Sequence, residues 1–472
     1  VDRLRGKGWL GLPLVLALVA LPGGCSSDSD REHETFDPKT FVLPEPPRPE
    51  DEAPPVRDPS ERLKQGLTLD EAVAIALEAN PGLSANADGV NAAKARITEA
   101  SVFTNPVFQF TKGDIPFRGQ SEGNNNINPS VSPFDMKYGE NVVSLTKDLD
   151  LSGKRVARVD AAIENERQSE AQYVSSSLQL KSQVHVAYAA ILVADRNVEL
   201  AREAMEMAKK NLEIVSGRAL GGDMLPADRL RAEADSARSA SDLQQAERDL
   251  VRAKRALATL LGAPNAAIGP LRNELPLSRV PEGIDDDVLA KEALAHNADV
   301  IAARRAVLAA EATLRLQNRS AVPDLTVGVQ VNGYNFDSSY SGTLNLSIPL
   351  PIFDQNRGPI AEATALLHQA EKLETQTANT VVQGVKDDVQ ALRASRARID
   401  VFEKEILPKD RESVKLTEAS FQGGKILYLD VITARQTFNQ ARSDYVNELL
   451  NYESALADLE RLLAHNIRVQ TP

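Results

Sequence analysis

Two carboxylates stand out by their position. Asp228 and Asp430 each lie six residues after a glycine pair, Gly221-Gly222 and Gly423-Gly424, and are 202 residues apart. An acid just inside a helix start is favoured by the helix dipole, so both are candidate helix N-terminal acids. Other chemistry is sparse. The five histidines (His33, His185, His296, His368, His465) have no metal-ligand spacing, and His185 falls one place off a helical seam, a flank position. Four methionines are too few for a thioether ladder. No glycine-rich phosphate loop or nucleophile motif occurs, so no enzyme, cofactor or resident metal is expected.

The glycine pairs are turns. After Gly423-Gly424 the apolar positions Leu427, Val431, Ala434, Phe438, Ala441 and Tyr445, then Tyr452, Ala455, Leu459 and Leu462, step by fours and threes, with Glu448 the one interruption. After Gly221-Gly222 come Leu225 and Ala232, and then Leu243, Ala246, Leu250, Ala253, Leu257 and Leu260, the last six stepping by threes and fours. The glycines supply backbone freedom for each reversal, and Leu427 opens the second seam. No Gly or Pro interrupts 154–216, and a helix of that length runs on the order of 95 Å. Its second-half counterpart contains Gly384 and Pro408, where it can bend.

The repeat extends further. Asn80 and Pro106 recur 217 residues later as Asn297 and Pro323, and Arg155 recurs as Arg357 after 202. The change of shift leaves extra residues in 113–138, a polar loop rich in Gly, Asn and Pro. Phe108 and Phe110, and later Val327, Val329, Val331, Leu344, Leu346 and Ile348, alternate with polar residues, a pattern suiting a half-buried sheet or a membrane barrel. The expected organisation is two internal repeats. The first covers 63–262, with strands at 106–112 and 141–149 and a helical hairpin over 152–261, tip 217–227. A connector follows at 263–284. The second covers 285–464, with strands at 323–333 and 340–350 and a hairpin over 359–464, tip 421–430. Residues 465–472 form a tail.

The beginning reads as an export signal. Arg3, Arg5 and Lys7 precede the apolar run 9–21, too short for a spanning helix. Small residues lead into Cys25, the single cysteine, and resemble a bacterial lipoprotein cleavage box. That implies a signal over 1–25 ending at Cys25, which is lipidated and becomes the first residue once those before it are removed, and Ser26 favours delivery to the outer membrane. Ordinary signal cleavage nearby is the alternative. Residues 26–62 are a Pro- and acid-rich linker. The net charge of −13 without a basic stripe argues against nucleic acid. It leaves an acidic lumen and solvated acidic helix faces both open.

Four strands cannot close a membrane barrel, so membrane strands would have to be pooled among copies. The doubled hairpin, the strand pairs and the signal resemble the TolC-like outer membrane efflux proteins. The runs Leu149-Asp150-Leu151-Ser152-Gly153-Lys154-Arg155 and Leu346-Ser347-Ile348-Pro349-Leu350-Pro351-Ile352-Phe353-Asp354-Gln355-Asn356-Arg357-Gly358 are similar to those of the cobalt–zinc–cadmium cation efflux group. The resemblance implies a mostly α fold with a membrane β-barrel part. It implies a homotrimer with a twelve-strand barrel in outer-membrane lipid above an α-helical periplasmic tunnel. Its partners would be a periplasmic adaptor and an inner-membrane RND-type pump. Gly221, Gly222, Gly423, Gly424, Lys425, Ile426 and Leu427 would be adaptor-docking tips. Asp430 matches the first of two acids that ring the pore entrance in some members, Thr433 stands at the second, and Asp228 is the equivalent gate candidate at the first tip. The function implied is an efflux duct for divalent metal cations. The alternatives are a duct for drugs or secreted polypeptides, and a lipid-anchored adaptor or structural coiled coil.

Overall fold

The computed structural model describes residues 63, 66–113, 140–220, 226–273, 285–334, 339–423 and 425–465, all within the unit Leu43–Pro472. Cys25 with the signal and linker, most of the 113–138 loop, Gly221, Gly222, Gly424, the second half (274–284) of the 263–284 connector and most of the 465–472 tail lie outside the described residues.

The first half contains α1 (Leu69–Ala79), α2 (Pro81–Ser101), β1 (Val107–Lys112), β2 (Glu140–Leu149), α3 (Lys154–Leu220) and α4 (Pro226–Leu260). The second contains α5 (Asp286–His296), α6 (Ala298–Ser320), β3 (Leu325–Tyr334) and β4 (Ser339–Ser347). It continues through α7 (Arg357–Val401), a π turn (Phe402–Ile406), α8 (Leu407–Gln422) and α9 (Tyr428–Leu463). One asparagine in each half makes the same local bonds. Asn80 Oδ1 accepts from Leu83 N at 3.0 Å and starts α2, while its Nδ2 donates to Leu260 O at 2.9 Å. Asn297 Oδ1 accepts from Val300 N at 3.0 Å, and its Nδ2 donates to Leu462 O at 2.9 Å. Each thus satisfies a donor at one helix start and a carbonyl at another helix end, groups that helices leave without internal partners.

Each half has its own core. Ile75, Val90, Val184, Tyr188, Ile191 and Leu257 pack α1, α2, α3 and α4 together. Val385, Val389, Tyr452, Leu456, Leu459 and Leu463 join α7 and α9, with Ala293 of α5 and Val300 of α6. The 67-residue α3 also packs on α6 and α9, so it belongs to both halves. That corrects the flank reading of His185. It is buried, with Nε2 3.0 Å from Glu453 Oε2 of α9. A helix covered from several sides has no solvent flank there.

Of three further expectations, the one at Pro408 is met and two change. The counterpart of α3 is broken by the π turn immediately before Pro408. Proline has no N–H and its ring collides with the carbonyl four residues back, and a π turn relieves both constraints. Gly384 lies inside the unbroken α7, where a Cβ would stand 3.0 Å from Leu462 Cδ1. It serves close helix packing. The strand expected over 340–350 ends at Ser347, because Pro349 and Pro351 cannot donate to a ladder.

The strands form one antiparallel sheet in the order β1-β2-β3-β4. Phe108 pairs with Leu145, Leu145 with Val329, and Val329 with Leu344. Side chains alternate across a strand, so these residues share one face with Phe110, Val143, Val327, Val331 and Leu346. The opposite face carries Gln109, Ser144, Thr146, Gln330, Asn332, Thr343 and Asn345.

Candidate functional site

The site has a sheet end and a tip end. On the sheet, the apolar face is open to solvent in the single chain. Phe108, Phe110, Val143, Val329, Val331, Leu344 and Leu346 are all exposed. The polar face is internally bonded. Asn345 Nδ2 donates to Gln330 Oε1 at 3.3 Å, Gln330 Nε2 to Asn332 Oδ1 at 2.6 Å, and Thr326 Oγ1 to Asp148 Oδ1 at 2.6 Å. Among the described residues, the outer strands β1 and β4 each have one unpaired side. Among the described residues no helix is long and apolar enough to cross a membrane.

At the tip, the end of α3 meets the α8–α9 turn. Val215, Ala232, Tyr428 and Val431 form a small core, with Leu212, Phe421 and Ile426 packed against it. Arg218 in the last turn of α3 donates from Nη2 to Gln422 O at 3.1 Å and from Nη1 to Phe421 O at 3.4 Å. Its guanidinium carbon stands 5.5 Å from the Phe421 ring centroid. A cation there satisfies the last carbonyls of α8 and complements the negative end of its dipole. Arg218 and Tyr428 were missed from sequence. Arg218 offered only the general signal of a cation near a helix end.

The tip residues divide. Lys425 and Leu427 are exposed, and Ile426 is half-buried. Leu427 is extended (φ −80°, ψ 154°) and lies outside α9, so the seam begins at Tyr428, which is 1% exposed. Gly423 has φ −78°, which any residue adopts, so it takes no left-handed conformation.

The two acids are unequal. Asp430 is exposed, and its Oδ2 accepts from Leu427 N at 3.1 Å, closing the first turn of α9. Asp228 is buried, and its Oδ1 accepts from Arg231 Nη1 at 3.1 Å. The counterpart of Arg231 is Thr433, so Asp430 lacks that partner. Between α3, α4 and α9, beside α8, lies a cleft of about 1140 Å³. Glu418 and Arg435 form an ion pair on it. Burial pushes the Asp235 carboxyl up against the opposing pull of Arg435 and Arg238. Among the described residues, no cluster of three or more His, Cys, Asp or Glu could hold a metal ion.

The profile of the family described as "Outer membrane efflux protein" matches residues 72–263 and 289–465, one segment in each half. The chain belongs to the outer membrane efflux protein family. The cobalt-zinc-cadmium resistance protein CzcC of Cupriavidus metallidurans is 25% identical over 84% of this chain and 90% of its own. The nickel and cobalt resistance protein CnrC of the same organism is 30% identical over 62% of this chain and 65% of its own. The crystal structure of the outer membrane protein VceC from Vibrio cholerae superposes with a TM-score of 0.68 at 23% identity, covering 85% of this chain and 97% of VceC. The family match and the two resistance proteins agree with the resemblance drawn from the repeat and the post-strand motifs.

Proposed function

We propose that this outer membrane efflux family member is the outer-membrane duct of a tripartite efflux system that exports divalent heavy-metal cations. One observation carries the duct reading. A four-stranded sheet has an open apolar face and two unpaired edges. In lipid each unsatisfied backbone group costs several kcal/mol, so such a sheet is stable in a membrane only inside a closed barrel. Three copies pairing β4 of one with β1 of the next make twelve strands, with the apolar face to lipid and the Gln330–Asn332–Asn345 face inward. The α3–α4 and α7–α9 hairpins continue the wall as a periplasmic tunnel. The exposed Lys425 and Leu427, with Ile426, are the docking surface for an adaptor that connects to an RND-type pump. Lipidation of Cys25 adds an anchor to the barrel.

The cation reading rests on the resistance proteins CzcC and CnrC. The chain's contribution is a water-filled path with carboxylates, Asp430 foremost.

Two measurements test this. Purified protein in detergent should have the mass of three chains, and a monomer would end the barrel reading. A strain lacking this chain should become sensitive to cobalt, zinc, cadmium or nickel salts and regain resistance on complementation. Sensitivity restricted to dyes and antibiotics would keep the duct and overturn the metal substrate.

A further inference from the structure

Where the sheet meets the helices, one aromatic ring carries two cations. Phe103, between α2 and β1, is 68% exposed. The Arg155 guanidinium carbon stands 4.4 Å from its ring centroid, and Lys147 Nζ stands 5.7 Å away. Both distances are within cation–π range.

The fold gives Lys147 no partner role, and it uses Arg155 only in part, to bond the last carbonyl of α2. Lys147 pairs with Val327 across the sheet, and Val327 with Leu346, so Lys147 interrupts the apolar face near its helix-side end. Arg155 is in the first turn of α3, where a positive charge opposes the helix dipole. Its backbone N–H donates to Asp150 Oδ2 at 2.7 Å, and its Nη1 donates to Ser101 O at 3.2 Å. Asp148 accepts from Thr326 on the polar face. Among the described residues, neither the Lys147 ammonium nor the Arg155 guanidinium pairs with a carboxylate. The second half manages without the arrangement, with Pro349 at the position of Lys147 and Ser320 at that of Phe103.

We propose that Lys147 and Arg155, flanking Phe103, bind the phosphate of a membrane phospholipid in the leaflet next to the helices. This rests on the duct reading, which turns the apolar face toward lipid. Leu149 at the end of β2 and, in the segments that follow or precede the sheet at its helix side, Val102, Leu151 and Val156 are also exposed apolar residues. An acyl chain lies on the apolar face while its phosphate meets the two cations. Lysine extends from an apolar face to the headgroup level, and aromatic rings settle at the same depth. Arginine has five N–H donors, and phosphate suits their fork geometry.

The test uses the full chain in nanodiscs of phosphatidylcholine, alone or mixed with phosphatidylglycerol, followed by mass spectrometry of the lipid that stays bound after detergent transfer. Wild type is expected to retain phosphatidylglycerol over phosphatidylcholine, whose choline cation is repelled. Lys147→Gln is expected to lower that retention about fivefold, the share of one cation near a membrane surface. Lys147→Arg should keep it, and Lys425→Gln at the tip should leave it unchanged. Wild type that inserts but shows no preference overturns the site and leaves the duct reading standing, as does a Lys147→Gln variant with full retention. Wild type that fails to enter nanodiscs overturns the duct reading and this inference with it.

Discussion

His185 on α3 and Glu453 on α9 face each other at 3.0 Å with 2% and 0% exposure, linking the first hairpin to the second. Removing one member of a buried polar contact is costly, because the other group loses that hydrogen bond without regaining water. His185→Ala is therefore expected to cost about 1–3 kcal/mol in unfolding by urea. Glu453→Gln preserves volume and hydrogen-bonding capacity, and should cost about 1 kcal/mol. Equal losses in the two variants would show that packing volume, not the polar contact, joins the hairpins here.

Gly262 and Ala464, 202 residues apart, close α4 and α9 with left-handed backbones of φ 72° and 60°. A Cβ on Gly262 would lie 2.2 Å from Ala79 O, whereas the second half admits alanine. Gly262→Ala combines a left-handed penalty with a backbone collision and is expected to cost over about 2 kcal/mol. Ala464→Gly relieves strain and should stabilise by about 0.5–1 kcal/mol. Thermal unfolding of the two variants checks the opposite signs, and a stabilised Gly262→Ala would refute the local geometry.

The repeat was legible because it is local. Asn80 and Asn297 carry their cap signal in the sequence, and the threes and fours of α4 and α9 identify the packed face without tertiary knowledge. Alternation also exposed the two faces of the sheet. What stayed hidden depended on which helices cover which. The seam rule placed His185 at a flank because it describes two helices, while α3 touches α2, α4, α6 and α9. Asp228 and Asp430 looked equivalent because their spacing is. The difference came from Arg231, opposite which the second half has Thr433. Gly384 looked like a hinge and proved to be a contact, a distinction that needs the position of Leu462.

Burial pushes Asp388 on α7 up to about 7, and the neighbouring Asp458 and Asp387 add to the rise while Arg461 opposes it. Its ordinary value is 3.8. Between those values the folded chain holds a proton that the unfolded chain has released, so stability falls as pH rises through this window. Asp388→Asn removes that dependence. The variant should match wild type near pH 4 and exceed it by about 1–2 kcal/mol at pH 8, discounted for the partial exposure of the group. Denaturation series at the two pH values provide the comparison. A variant less stable at pH 8 would mean that the Arg461 attraction outweighs the burial cost.

Asp430 closes the first turn of α9 through Leu427 N, and its charge faces solvent. Two substitutions separate these roles. Asp430→Ala removes the charge and the acceptor together, and loss of the acceptor is expected to cost about 0.5–1 kcal/mol. Asp430→Asn keeps an amide oxygen for Leu427 N and removes only the charge. If three Asp430 carboxylates ring the entrance, both variants should lose cation block equally in planar bilayers, although only Asp430→Ala loses stability. Unchanged block in Asp430→Asn would leave Asp430 with the cap alone.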